Sequence, residues 1–318
     1  MLVKTGVSVL GQGILRGRPR LGAGGRLVVE APVTEFETRL ESLLQSGRQL
    51  PTLPVLIVQV QRAVANEMSG LRDIGAIIER DPALTARVLR VSNSALFTRG
   101  DPVTTIGAAV ARLGMGHVRS LCLAVGVVRA FGSSQQRLDH RRYWEHSAAV
   151  GMVAERLTDV STRYGAVEGP EAYVAGLLHD VGLLIMDQFF PEDFASIQQE
   201  MEADAVPLYQ AELKRLGLDH GGVARLVLRR WQLPTQVIAG VAAHHSPAEC
   251  AIGAEGLARM VWAAEALCAA AGLDLPQEGV AEVAPDLVLE HLAVPKEDWQ
   301  RVLDEVGRIG ERARQFTA

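Results

Sequence analysis

Residues 176–182 read Gly176-Leu177-Leu178-His179-Asp180-Val181-Gly182. An imidazole and a carboxylate stand side by side among aliphatic residues, and the pattern predicts an apolar helix that ends at Gly182. An aspartate in such a setting is costly to bury unless it is hydrogen-bonded, ion-paired or bound to metal. Outward from this pair lie His146 on one side and His220 and His244-His245 on the other. The set takes five of the chain's eight histidines, leaving His117, His140 and His291 outside. Imidazole and carboxylate together suit Mn, Fe or Zn, so these residues are candidate ligands for a divalent metal. A polar network that ties helices together explains the same residues, provided every member is satisfied.

Composition favours helices around this core. Of 318 residues, 48% are hydrophobic and only 5% aromatic, with Ala, Leu and Val dominant. Strands draw on aromatic and β-branched side chains, so this mix predicts an all-α fold. The net charge of −5 argues against a nucleic-acid binder, which would carry a basic surface. Cys122, Cys250 and Cys268 are scattered with no CxxC pairing and read as reduced thiols. The apolar run Leu121–Val128 is too short to span a bilayer. The N-terminus lacks the long apolar core of a signal peptide. The expectation is a cytoplasmic protein with no membrane insertion.

Four segments follow from the patterning. Residues 1–34 are Gly- and Arg-rich, with Lys4, Arg16, Arg18, Arg20 and Arg26 meeting no acid before Glu30. They are expected to form a disordered basic tail, dispensable for folding. Residues 35–131 are expected to form an N-terminal helical lobe. There Leu53, Ile57, Val60, Val64 and Met68 make one stripe at helical spacing. Ser69 is placed to cap a helix carrying Leu71, Ile74, Ile77 and Ile78. Asp81-Pro82 reads as an N-cap followed by a first-turn proline, opening a helix with Leu84, Val88 and Val91 inward. Val103, Ile106, Val110 and Leu113 continue the pattern up to a stop at Gly114. A polar stretch, Gly132–His140, leads to a second helical lobe at 140–272 that holds the histidine set. Residues 273–318 form a helical extension.

Several short segments together resemble the HDOD family, an all-helical relative of the HD superfamily of metal-dependent phosphohydrolases. They are Leu53-Pro54, Asp81-Pro82-Ala83-Leu84-Thr85, Ser92-Asn93-Ser94-Ala95 and Ile106 through Leu113-Gly114 in the first lobe. In the second they are Trp144-Glu145-His146-Ser147, Gly176-Leu177-Leu178-His179-Asp180, Trp231-Gln232-Leu233-Pro234 and His244-His245-Ser246-Pro247. The resemblance covers residues 50–272. It implies an N-terminal helical lobe packed on an HD-like lobe. It also implies a signalling or regulatory module that works through contacts with a protein partner.

The resemblance extends to the HD-GYP phosphodiesterases, with three departures. Those enzymes carry Lys soon after the HD pair, and Leu183 stands here. They carry Gly-Tyr-Pro after the double histidine, and only Ser246-Pro247 follows here. Their last metal-binding Asp falls on Glu265. These departures imply a degenerate HD-type site whose ligand set is His146, His179, Asp180, His220, His244, His245 and Glu265, with no catalytic residue assigned. The alternative to a contact module is a metal-dependent phosphohydrolase acting on a nucleotide or cyclic dinucleotide. Asn93 is expected to bond local backbone rather than a partner. Trp144 and Trp231 are expected in the core, and Arg112, Arg119 and Arg129 on a solvated face.

Overall fold

The computed structural model describes residues 19–21, 27–29, 34–46, 55–65, 69–93, 101–131, 137–250, 253–275 and 283–317. The readings placed on Leu53-Pro54, Met68 and Ser94-Ala95, and on much of both spacers, lie outside them. In the segment expected as a tail, Pro19–Leu21 pairs antiparallel with Leu27–Val29. No strand occurs among the described residues of 50–272, and the fold is all-α.

Helix α1 (Glu35–Ser46) starts at the residue where the helical pattern is expected to begin. Thr34 caps it, its hydroxyl accepting the Glu37 N–H at 3.0 Å. A truncation that respects the fold therefore keeps Thr34. The helix also belongs elsewhere than predicted. Its main packing is on the second lobe: Phe36 meets Phe190 edge to face with ring centroids 4.8 Å apart, and Arg39 pairs with Asp193 at 2.5 Å.

The first lobe consists of α2 (Val55–Ala65), α3 (Leu71–Ile78), α4 (Pro82–Ser92) and α5 (Ile106–Ala130). Ile57, Val60, Ile74, Ile78, Leu84, Val88, Ile106, Val110 and Leu113 are buried, so the helical stripes read from sequence are its core. Leu71, at the first position of α3, is exposed. Gly70, not Ser69, stands at the N-cap of α3, its N–H donating to Asp73 Oδ2 at 2.8 Å. Asp81 caps α4 as predicted, accepting the Leu84 N–H at 3.0 Å. Gly114 breaks the helix at the expected stop, with a kink between two helical segments. It takes φ +78°, a conformation that suits glycine, and the chain resumes as helix to Ala130. That continuation lets α5 pack on the first lobe and then on the second.

Asn93 bonds local backbone, as expected: its amide donates to the Val103 carbonyl and accepts the Val103 N–H, both at 2.8 Å. Arg112 is not simply solvated. It donates to the Asp101 carbonyl at 2.6 Å and to the Ser92 carbonyl at 3.3 Å, tying together the ends of the 94–100 segment.

The second lobe begins with α6 (His140–Thr158), α7 (Gly169–Leu178), α8 (Val181–Phe189) and α9 (Pro191–Asp204). It continues with α10 (Leu208–Leu216), α11 (His220–Arg230), α12 (Thr235–Ala242) and α13 (Glu255–Ala270). Helices α14 (Pro285–His291) and α15 (Trp299–Thr317) complete the chain. The last helix lies along α6, where Arg156 pairs with Glu305, so the C-terminal extension is part of this lobe. Trp144 and Trp231 are buried as expected. Cys122 and Cys268 are free thiols. No single helix among the described residues is long and apolar enough to cross a membrane.

Helices α5 and α6 meet at His117 and Glu155, which share a hydrogen bond. Burial pulls the His117 imidazolium down, but the Glu155 carboxylate more than offsets it, so its pKa lies above the ordinary value. A raised folded-state pKa adds stability below the unfolded value and loses it as pH rises through the folded one. The stability gap between wild type and His117→Gln in urea melts should thus be largest near about pH 6 and shrink toward about pH 9. A gap that widens with pH would contradict the pairing.

Candidate metal centre

The helix expected to run through Gly182 is broken at the HD pair. Helix α7 stops at Leu178, Asp180 takes φ −96° and ψ 9°, and α8 starts at Val181. The break sets both side chains at a junction of five helices. Helix α6 brings His146. Gly151 and Gly176 let α6 and α7 approach backbone to backbone, since a Cβ on Gly176 would lie 2.8 Å from the Gly151 Cα. Helix α8 packs on α11 through Gly182 and so brings His220, the first residue of α11. His244 and His245 follow the end of α12.

Six of the seven candidate ligands converge into two groups of three donors. His146, His179 and Asp180 form one; His220, His244 and His245 form the other, with the donor atoms of each group within 4.8 Å of one another. Asp180 faces both. Its Oδ2 lies 3.0 Å from His179 Nε2 and 3.6 Å from His146 Nε2. Its Oδ1 lies 3.3 Å from His220 Nε2 and 3.8 Å from His244 Nε2. Glu265 is buried close enough for its charge to act on His179, Asp180 and His220, yet it belongs to neither group. Burial, with a further push from Asp180, raises its carboxyl pKa to about 7.

The ring orientations are fixed from behind. His146 Nδ1 contacts the Leu273 carbonyl at 2.7 Å, His179 Nδ1 the Gly176 carbonyl at 2.6 Å, and His244 Nδ1 the Val241 carbonyl at 2.6 Å. His220 Nδ1 meets Glu212 Oε2 at 2.7 Å. A carbonyl or carboxylate oxygen only accepts, so each Nδ1 carries the proton and each neutral Nε2 turns a lone pair inward. Such second-side bonds are the usual support of metal-ligating histidines.

The inward nitrogens are close: 3.3 Å between His146 and His179, 3.3 Å between His220 and His244, and 2.7 Å between His245 and His220. Facing lone pairs at these distances need a proton or a cation between them. Burial opposes charge on His179, but Asp180 outweighs it and raises its pKa. Burial also pulls the His220 imidazolium down, but Glu212 and Asp180 together hold its pKa well above the usual range. Burial and the neighbouring rings lower His146 to about 4 and His244 to about 3. Burial, His244 and His220 push His245 well below the usual value. The donor set thus fits divalent metal, and the two groups facing one aspartate fit a pair of ions.

The arrangement is closed. His146, His179, Asp180, His220 and His244 are at most 2% exposed. His245 is half-buried, its ring stacked on Tyr209 at 4.4 Å and 12°. Leu183, in the place where the resembling phosphodiesterases carry Lys, is fully buried. Sequence reasoning missed Glu212, Tyr209 and the Leu273 carbonyl.

An all-helical body with an HD pair and converging histidines defines an HD-type module. The HDOD domain model matches residues 50–247, and the chain belongs to the HDOD domain family. Among solved structures, one from Shewanella amazonensis SB2B named as a phosphohydrolase is 25% identical, covers 90% of this chain and 99% of its own, and superposes with a TM-score of 0.71. An HDOD domain protein from Geobacter sulfurreducens is 23% identical, with coverages of 89% and 98% and a TM-score of 0.73. A protein from Marinobacter aquaeolei VT8, named for signal transduction, is 25% identical with a TM-score of 0.70; the match covers 87% of this chain and 60% of that one. An uncharacterized protein of Treponema pallidum is 26% identical over 225 residues, 70% of this chain, and the match spans only 43% of that relative's length.

Proposed function

We propose that the chain is a bacterial signal-transduction or regulatory module that acts through contacts with a signalling protein. Its HD-type site holds divalent metal inside the fold. The observation that carries this reading is a set of six converging donor residues, five of them closed to solvent. Five of the six converging donor residues are at most 2% exposed, and a buried leucine replaces the lysine of the resembling phosphodiesterases. A phosphoester would have to displace protein to reach Asp180, and no lysine would meet its charge from α8. The name of the Marinobacter relative supports the same reading.

The residues that would hold metal are His146, His179 and Asp180 in one half and His220, His244 and His245 in the other. Bound there, a divalent ion supplies charge that Asp180 and the inward lone pairs are arranged to receive. The protein's part would be to orient those rings from the Nδ1 side and keep water out. Because the ligands come from α6, α7–α8, α11 and the end of α12, metal occupancy is coupled to how these helices pack.

Chelation should therefore increase amide hydrogen exchange around residues 179–182, 220–222 and 244–246 and lower the melting temperature. Metal at a hundred times its Kd would add about 2.7 kcal/mol of stability. Identical exchange with and without chelator would contradict a metal-supported core. The second reading, a metal-dependent phosphohydrolase acting on a nucleotide or cyclic dinucleotide, is favoured by the full donor set and by the name of the Shewanella relative.

A further inference from the structure

We propose that Glu212 is a positioning residue that sets the divalent-cation affinity of the His220–His244–His245 half of the site, making the two halves unequal. The inference rests on the metal-binding reading above. Glu212 lies on α10, outside every ligand position, and is fully buried. Its Oε2 accepts two hydrogen bonds from one residue, the His220 backbone N–H and the ring Nδ1–H, each at 2.7 Å. The pair of bonds fixes both the start of α11 and the rotation of the imidazole that opens it. The other oxygen, Oε1, is buried with no hydrogen-bond partner among the described residues.

This is an expensive arrangement for a structural bond alone. A buried carboxylate with a vacant oxygen needs positive charge nearby. The place for such charge is on the His220 side, where a cation would sit among the three facing nitrogens. The remaining Nδ1 anchors are neutral carbonyls of Leu273, Gly176 and Val241. Only His220 is backed by an anion, which makes its Nε2 the most electron-rich of the inward donors. The same helix also lays Tyr209 against His245, so α10 supports two ligands of this half. Partners of this kind alter metal affinity by about 10–100-fold when removed.

The test is competition titration of chelator-stripped protein with Mn²⁺ alone, on wild type, Glu212→Gln and Glu212→Asp, with a melting curve for each. The glutamine oxygen can accept both N–H groups, so Glu212→Gln removes the charge while keeping the bonds. Wild type should bind two ions. Glu212→Gln should weaken one by about 10–100-fold and leave the other unchanged. The weakened ion should be the one lost in His245→Ala. If Glu212→Gln does not fold, Glu212→Asp serves: it retracts the same charge by one methylene and should weaken the same ion. Wild-type affinity for both ions in a folded Glu212 variant overturns the inference, as does equal weakening of both. Failure of the wild-type protein itself to bind Mn²⁺ defeats the metal reading, and this inference with it, and is seen before any variant is measured.

Discussion

Asp180→Asn protein is expected to lose metal from both halves of the site, falling from about two ions per chain to less than one. One aspartate serves both groups: Oδ2 faces His179 and His146, and Oδ1 faces His220 and His244. An amide keeps one acceptor and turns an NH₂ toward the other pair. The same change removes one of the two carboxylates buried against His220, the other being Glu212. Breaking a buried charge pair costs about 3–5 kcal/mol. Metal analysis with urea melts checks both parts. Unchanged metal content would show that Asp180 is not shared.

Gly182→Ala is expected to be among the most damaging single substitutions outside the ligands. A Cβ there would lie 2.0 Å from the His220 carbonyl oxygen and 2.7 Å from its carbon, backbone atoms that cannot rotate away. Helices α8 and α11 would have to separate, carrying Asp180 and His220 apart. Overpacking typically costs about 1–3 kcal/mol, and a backbone clash belongs at or above the upper end. Gly107→Ala is the control, because nothing lies within 4 Å of the added methyl. A helical Gly→Ala change there should be neutral or stabilise by up to about 1 kcal/mol. Equal effects at the two positions would mean that α8 and α11 do not pack as described.

Much of this was legible in the residues, and what was not has physical causes. Apolar side chains at Ile74, Ile78, Leu84, Val88, Ile106 and Val110 repeat at helical spacing because each first-lobe helix has one buried face. Around the HD pair that signal disappears. Helix α8 is buried from Val181 to Asp187, so no polar face marks where α7 ends and α8 begins. The periodicity of α1 shows that Phe36 and Leu40 face a core but not which core, and only the contact with Phe190 decides it. Glu212 left a trace that went unread. With Leu208 four residues before it and Leu216 four after, it is an acid on the apolar face of its helix. The histidine set and Asp180 were readable from residue type, but Asp180 facing both groups required the turn at 179–180.

The most direct test of the central claim is to measure, on one purified sample, divalent metal per chain and Mn²⁺- or Fe²⁺-dependent cleavage of a cyclic dinucleotide. The expected result is about two metal ions per wild-type chain, their loss in Asp180→Asn, and no cleavage above the metal-only control. Metal-dependent cleavage by wild type that vanishes in a folded Asp180→Asn protein would contradict the contact-module reading and establish the hydrolase. A wild-type chain that takes up no metal would contradict the site itself.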